Sequence, residues 1–128
     1  MLFRSHLGGT LDGTAVLRPE TVDQMSQNHI GALEVGVIKT AIPTLSNDVD
    51  LFPGVSKKWG LSFLINAAPL PTGRSAGSLG WAGLANTYFW IDRTKQVCGV
   101  FLSQVLPFYD ATALDLLTTF ETEVYRAL

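Results

Sequence analysis

Three strand-like segments joined by short turns, with one amphipathic helix after them, constrain the fold of this 128-residue chain most strongly. The segments are residues 77–84, 86–92 and 97–105; the second is rich in aromatic side chains and the third in β-branched ones, as strands prefer. Their connections are too short for a parallel crossover, so the neighbouring strands must run antiparallel. The pattern therefore predicts an antiparallel meander.

The segment 110–128 is the clearest helix. Asp110 is a suitable N-cap, and apolar residues recur after it at three- and four-residue steps. This stripe has to pack on the meander, with Trp59 in the same core, which gives an α+β fold with the helix on one face. On this view Phe120→Ala should cost about 3–5 kcal/mol of stability. The stripe consists of Ala113, Leu116, Leu117, Phe120, Val124, Ala127 and Leu128.

The first half of the chain is less regular. Turn residues at 8–14 predict a loop or short hairpin, and Pro19 opens a short helix over 19–28. Residues 31–54 form a long irregular excursion with at most one strand, at 33–39. Apolar residues alternate over 58–66, which predicts one more strand. With no internal repeat and no linker-like tract, we expect residues 1–128 to form a single domain.

Composition excludes several classes of function. Apolar residues make up 47% of the chain and charged residues 16%, which is too apolar for disorder, and the net charge of −2 has no basic cluster behind it. Nucleic acid and membrane partners are therefore not expected. The start of the chain lacks a signal-peptide core, and no apolar run approaches the ~18 residues of a membrane span. Since Cys98 is the lone cysteine, we expect a cytoplasmic protein.

Residues 73–77 match G-x-S-x-G, the nucleophile elbow of α/β-hydrolases, with Ser75 at its centre. That chemistry requires a strand before the serine, a helix after it, and a histidine later in the chain. Here prolines precede the motif, strands follow it, and both His6 and His29 lie upstream. A glycine-rich turn is the favoured interpretation, and a free-standing esterase using Ser75 is the weakest of the alternatives.

No cofactor or metal site is predicted. Neither histidine has a partner at ligand spacing, and neither a P-loop nor a Gly-x-Gly-x-x-Gly follows any strand. Residues 80–86 instead place glycines around Trp81 inside a predicted strand. Glycine in a strand marks a close approach of another backbone or of a ligand, and the residues leave both possibilities open.

Residues 57–63 and 73–92, in this order, resemble the C-terminal part of the β-lactamase-related serine hydrolases. This is the group of class C β-lactamases, penicillin-binding proteins and family VIII carboxylesterases. The opening at 8–13, the helix start at 19–22 and the ending at 120–125 are also similar, so the resemblance covers nearly the whole chain.

The resemblance implies an active site of three motifs, of which the third is often Trp-x-Gly in the esterase branch. Trp81, Ala82 and Gly83 match it, and the N–H of Leu84 would then supply half of an oxyanion hole. In that branch G-x-S-x-G also occurs without a catalytic role. The other two motifs, Ser-x-x-Lys and Tyr-x-Asn, are absent from this chain, so no catalytic residue is assigned within it.

Two interpretations follow. The first is a truncated or split β-lactamase-like serine hydrolase of esterase or β-lactamase type, inactive alone, whose enzymatic status depends on the missing motifs. The second is a non-catalytic binding or assembly module that reuses the fold. The family's sheet is completed by N-terminal strands, so we expect an open edge here. The expected partner is a second copy, in a homo-oligomer, or a complementing N-terminal chain.

Overall fold

The computed structural model describes residues 8–128, and His6 lies outside them. A small two-stranded hairpin opens the described part of the chain, a short helix follows, and five strands and a long helix lie further along it. The elements are β1 (Thr10–Leu11), β2 (Thr14–Ala15), α1 (Pro19–Met25), β3 (Lys57–Trp59), β4 (Leu64–Asn66), β5 (Leu79–Gly83), β6 (Thr87–Asp92), β7 (Val97–Phe101) and α2 (Ala111–Arg126).

The five strands β3 to β7 form one sheet in sequence order, with every neighbouring pair antiparallel. The predicted meander and the α+β class are therefore confirmed. One cross-strand row joins Gly80, Trp90 and Gly99. A Cβ atom on Gly99 would lie only 2.0 Å from the Trp90 ring, so glycine here makes room for the indole.

The prediction of one strand over 58–66 is wrong, because this segment is the β3–β4 hairpin. The chain reverses at residues 60–63, where the Gly60 N–H bonds to the Phe63 carbonyl at 2.8 Å and Ser62 has a φ of 74°. Gly60 passes so close to the end of α1 that a Cβ would lie 2.3 Å from the Met25 carbonyl oxygen. Leu61 is consequently exposed and Trp59 only half-buried.

Alternate residues of β6 point to opposite faces of the sheet, and their side chains pack in two separate hydrophobic cores. On one face, Ile91 packs with Leu79, Ile65 and Phe63, with Met25 of α1 beside them. On the other face, Trp90 and Tyr88 pack against α2.

Helix α2 begins at the predicted cap, where the Asp110 carboxylate accepts a 3.0 Å hydrogen bond from the Ala113 N–H. Its buried face, however, differs from the apolar stripe. Phe120 keeps 41% of its surface exposed and meets the Trp90 ring edge-on at 5.6 Å, so its predicted burial is wrong. The residues that are buried recur at four-residue steps: Ala113, Leu117, Glu121 and Tyr125.

The excursion at 31–54 is irregular, as predicted, and the strand at 33–39 does not form beyond one isolated bridge from Ile38 to Val49. Part of it covers the edge of β3. The Val35 N–H bonds to the Lys57 carbonyl at 2.9 Å, and Glu34 pairs with Lys58 at 2.9 Å. The predicted helix over 19–28 ends at Met25. None of the helices within residues 8–128 combines the length and apolarity needed to cross a bilayer.

Candidate functional site

The Trp-x-Gly segment forms the end of β5, beyond the two residues of β5 that pair with β4. Trp81, Ala82 and Gly83 pair with Phe89, Tyr88 and Thr87 of β6, and Leu84 begins the turn between the two strands. A Cβ on Gly83 would lie 2.5 Å from the Thr87 Oγ1 atom, so a larger residue here would have to displace the Thr87 hydroxyl. We call residues 81–84 the Trp81–Leu84 wall.

The backbone N–H of Leu84 is free. Within residues 8–128 it donates no hydrogen bond, and Leu84 as a residue is 53% exposed. A buried N–H in this condition would be costly, but an exposed one can bind water or a ligand oxygen. The turn therefore presents the Leu84 N–H as an unused donor at the end of the wall.

Aromatic rings flank the wall. The Trp81 ring meets Trp59 at 4.6 Å between centroids and 88° between planes, an edge-on contact. Phe89, opposite Trp81 in β6, meets Phe63 edge-on at 6.1 Å. A shallow hollow of about 270 Å³ adjoins the wall on its β6 and β7 side, lined by Ala82, Gly83, Thr87, Tyr88, Phe89, Val100 and Leu102. The surface around the wall is thus mainly apolar.

Asn86 holds the turn in place, and sequence reasoning missed it. Its Nδ2 donates to the carbonyls of Val105 (2.9 Å) and Pro107 (2.8 Å), while its Oδ1 accepts from the Tyr88 hydroxyl (2.9 Å) and the Asp110 N–H (3.1 Å). The residue is fully buried at a φ of 56°, a conformation that asparagine tolerates. An asparagine two residues after Leu84 was the available signal, although its partners are distant in sequence.

Ser75 lies in a glycine-rich turn, which is the interpretation that the sequence favoured. Its N–H donates to the Asp92 Oδ2 atom at 2.8 Å, and the Tyr125 hydroxyl donates to the same oxygen at 3.0 Å. The only histidine among the described residues, His29, bonds instead to the Gln24 carbonyl at 2.7 Å. Ser75 thus has a carboxylate beside it but no histidine to take its proton.

The Asp92 carboxylate is an ionised anchor. Burial alone would raise its pKa, but hydrogen bonds from the N–H groups of Ser75 and Lys95 outweigh burial, with help from the Ser75 and Tyr125 side chains. Together they hold the pKa of Asp92 below its ordinary value. Burial and the charge of Asp92 in turn raise the pKa of Tyr125.

Tyr88 does not act as a general base for the wall. Tyr88 lies in the core beneath it, where burial, followed by Tyr109 and Asp110, raises the pKa of its hydroxyl to about 12. Such a group stays protonated at neutral pH. In the described part of the chain, no three His, Cys, Asp or Glu side chains cluster closely enough to hold a metal ion.

A buried ion pair also escaped sequence reasoning. Arg74 Nε donates to Glu121 Oε1 at 3.1 Å, a second guanidinium nitrogen reaches the other carboxylate oxygen, and the Thr72 hydroxyl bonds to Glu121 as well. The Arg74 guanidinium lies over the Phe52 ring at 5.0 Å and the Trp90 ring at 5.5 Å. This pair explains why a glutamate occupies the buried face of α2.

The chain is similar in sequence or in structure to three known proteins. No protein-family model matches the chain. Lovastatin esterase from Penicillium rubens is 29% identical over 115 residues, which cover 87% of this chain. Simvastatin synthase (LovD) from Aspergillus terreus superposes with a TM-score of 0.73 over 94% of the chain at 24% identity. A penicillin-binding protein homologue from Caulobacter crescentus gives 0.61 over 94% at 20% identity.

The chain has part of a β-lactamase-like fold. It spans 29% of the length of the esterase and 31% of that of the synthase, so it corresponds to about a third of each relative. The resemblance to β-lactamase-related serine hydrolases is confirmed, since the relatives are members of that hydrolase and acyltransferase group.

Proposed function

We propose that this β-lactamase-like chain forms one wall of the acyl-binding site of a serine hydrolase or acyltransferase, whose nucleophile lies outside these 128 residues. The observation that carries the proposal is the free N–H of Leu84 at the end of the Trp-x-Gly strand. A fixed N–H at this place would stabilise the oxyanion of a tetrahedral intermediate, and such a donor accounts for about 10²–10³ in rate.

The surroundings of the wall favour an ester with an apolar acyl group. The rings of Trp59 and Trp81 and the adjoining hollow offer apolar contact and few polar groups. The names of the esterase and the synthase both refer to statins, and we extend to this chain only the acyl-ester chemistry that an esterase shares with an acyltransferase of its group. In this proposal, Trp81 lines the acyl side and Leu84 supplies the donor, while Ala82 packs on the opposite face of the sheet towards α2.

The free edge of the sheet is where the missing part would join. Among the described residues β7 pairs only with β6, whereas the β3 edge is covered by the excursion at 31–54. Beside β7 lies a continuous set of exposed apolar side chains: Val100, Leu102, Leu116 and Phe120. We infer that a complementing N-terminal chain, or the same polypeptide upstream, pairs with β7. Without it, two copies would meet there as a homo-oligomer.

A non-catalytic assembly module remains the second candidate, and the same open edge favours it. It requires the β7 edge but has no use for the Leu84 N–H. In either case we place the chain, with its lone half-buried Cys98, in the cytoplasm as a single domain.

The test combines the chain with the part of lovastatin esterase that it does not match, and follows hydrolysis of p-nitrophenyl butyrate. We expect turnover from the mixture and none from either piece. Leu84→Pro removes the N–H and should lower kcat about 10²–10³-fold, while Leu84→Ala keeps the N–H and should stay within a few fold.

The alternatives give different results. A complex that forms but stays inactive would overturn the hydrolase proposal and favour the assembly module. Equal activity of the two Leu84 variants would remove the oxyanion role. Activity of the chain alone that vanishes in Ser75→Ala would establish the free-standing esterase instead.

A further inference from the structure

A cleft of about 360 Å³ lies beside α2, apart from the Trp81–Leu84 wall. The helix forms one side with Leu114, Leu117, Thr118 and Glu121, and the loops 51–55 and 70–72 form the other. This volume falls within the range of about 300–1,000 Å³ that is typical of small-molecule sites. None of its lining residues belongs to the wall, so the cleft is independent of the proposed function.

The lining is mainly apolar, with few hydroxyl groups. Leu51, Pro53, Val55 and Leu70 contribute aliphatic surface. Two of the hydroxyls are already used: Tyr109 donates to the Asp50 carbonyl and Thr72 to Glu121. The Thr118 hydroxyl is exposed at the cleft and has no partner among residues 8–128. A ligand could therefore make one new hydrogen bond there.

The charge at the cleft is already balanced. Glu121 is its one charged lining residue, and Arg74 holds both of its carboxylate oxygens from behind. An anionic ligand would lie against the carboxylate with no free cation beside it. A cationic ligand would have to compete with Arg74 for a buried carboxylate, and breaking such a pair is strongly unfavourable. The cleft therefore favours a neutral ligand.

The positions along the helix give the length and direction of that ligand. Leu114 and Glu121 are seven residues apart, which corresponds to about 10 Å along the axis. The Tyr109 hydroxyl is held by the carbonyl of Asp50, next to Leu51, and the Thr72 hydroxyl is held by Glu121, so the hydroxyl left to orient a ligand is that of Thr118. We propose that the cleft is a binding site for a neutral, extended aliphatic alcohol, with its chain along α2 and its hydroxyl at Thr118.

The experiment titrates the chain with 1-octanol and, separately, with octanoate, and follows backbone amide shifts by NMR. Thr118→Trp fills the cleft at Thr118 from an exposed position that should not disturb folding. Thr119→Trp is the matched control, because Thr119 lies on the other side of the helix, beside Phe120 and Val100. Dispersed amide spectra of all three proteins confirm that they are folded.

We expect saturable octanol shifts centred on residues 51–55, 70–72 and 114–121. The Kd should rise at least about tenfold in Thr118→Trp and stay unchanged in Thr119→Trp, and octanoate should bind at least about tenfold more weakly than octanol. Three results would overturn the proposal: shifts that never saturate, a loss of binding in Thr119→Trp instead, or equal affinity for the anion.

Discussion

The N–H of Ser75 donates a 2.8 Å hydrogen bond to the buried carboxylate of Asp92. Tyr125 of α2 donates to the same oxygen, so one carboxylate ties the G-x-S-x-G turn and the C-terminal helix to the end of β6. The Lys95 N–H donates a 3.0 Å hydrogen bond to the other carboxylate oxygen of Asp92. The G-x-S-x-G motif therefore has a structural role in this fold, and substitution of Asp92 should lower its stability.

Asp92→Asn should destabilise the chain by about 2–3 kcal/mol, because an amide nitrogen cannot accept the hydrogen bonds that a buried carboxylate accepts. Ser75→Ala is the matched control. It keeps the backbone N–H and should cost about 1 kcal/mol or less. Urea unfolding followed by tryptophan fluorescence measures both. If the two variants lose equal stability, Asp92 is not the anchor.

The lowered pKa of Asp92 also predicts a dependence on pH. A carboxyl whose folded pKa lies below its unfolded value of about 3.9 stabilises the protein above that value, and this contribution is lost as the pH falls through the folded pKa. Urea unfolding between pH 7 and 3 should therefore show a steeper acid loss in the natural chain than in Asp92→Asn. Parallel curves would contradict this.

Leu117 and Phe120 should differ sharply when truncated, because only Leu117 lies in the core between α2 and the sheet. Leu117→Ala should cost about 2–5 kcal/mol. Phe120→Ala should cost about 1–2 kcal/mol, since its ring is partly exposed and touches Trp90 only at the edge. Chemical unfolding compares the two, and a larger loss for Phe120 would show that the helix is rotated.

Self-association through β7 should depend on Leu102, which follows the strand and is 77% exposed. We expect the chain alone to associate at micromolar concentration and Leu102→Lys to shift it towards the monomer, because charged residues at a sheet edge block strand pairing. Leu33→Lys alters an exposed leucine of the excursion and serves as the control. Light scattering that shows a monodisperse monomer in the natural chain would refute the expectation.

The sequence by itself determined the order of the last three strands, β5 to β7, and the start of the last helix, because both depend on neighbours in the chain. The short connections after residue 77 force antiparallel pairing, and Asp110 needs only the N–H of Ala113, three residues on. The Trp-x-Gly segment could also be located from sequence, since its residues are consecutive in β5.

Only the tertiary structure decided features that depend on contacts between distant segments. The 58–66 segment folds back where Gly60 lies against the end of α1, a contact that the alternation of apolar residues does not report. Glu121 can be buried because it pairs with Arg74, which is 47 residues away in the sequence. The spacing of apolar residues in a helix gives no information about such a distant partner. Asn86 likewise bonds to carbonyls about 20 residues further on. Periodicity reports which residues prefer burial, whereas a polar residue enters the core only where a remote group satisfies its hydrogen bonds.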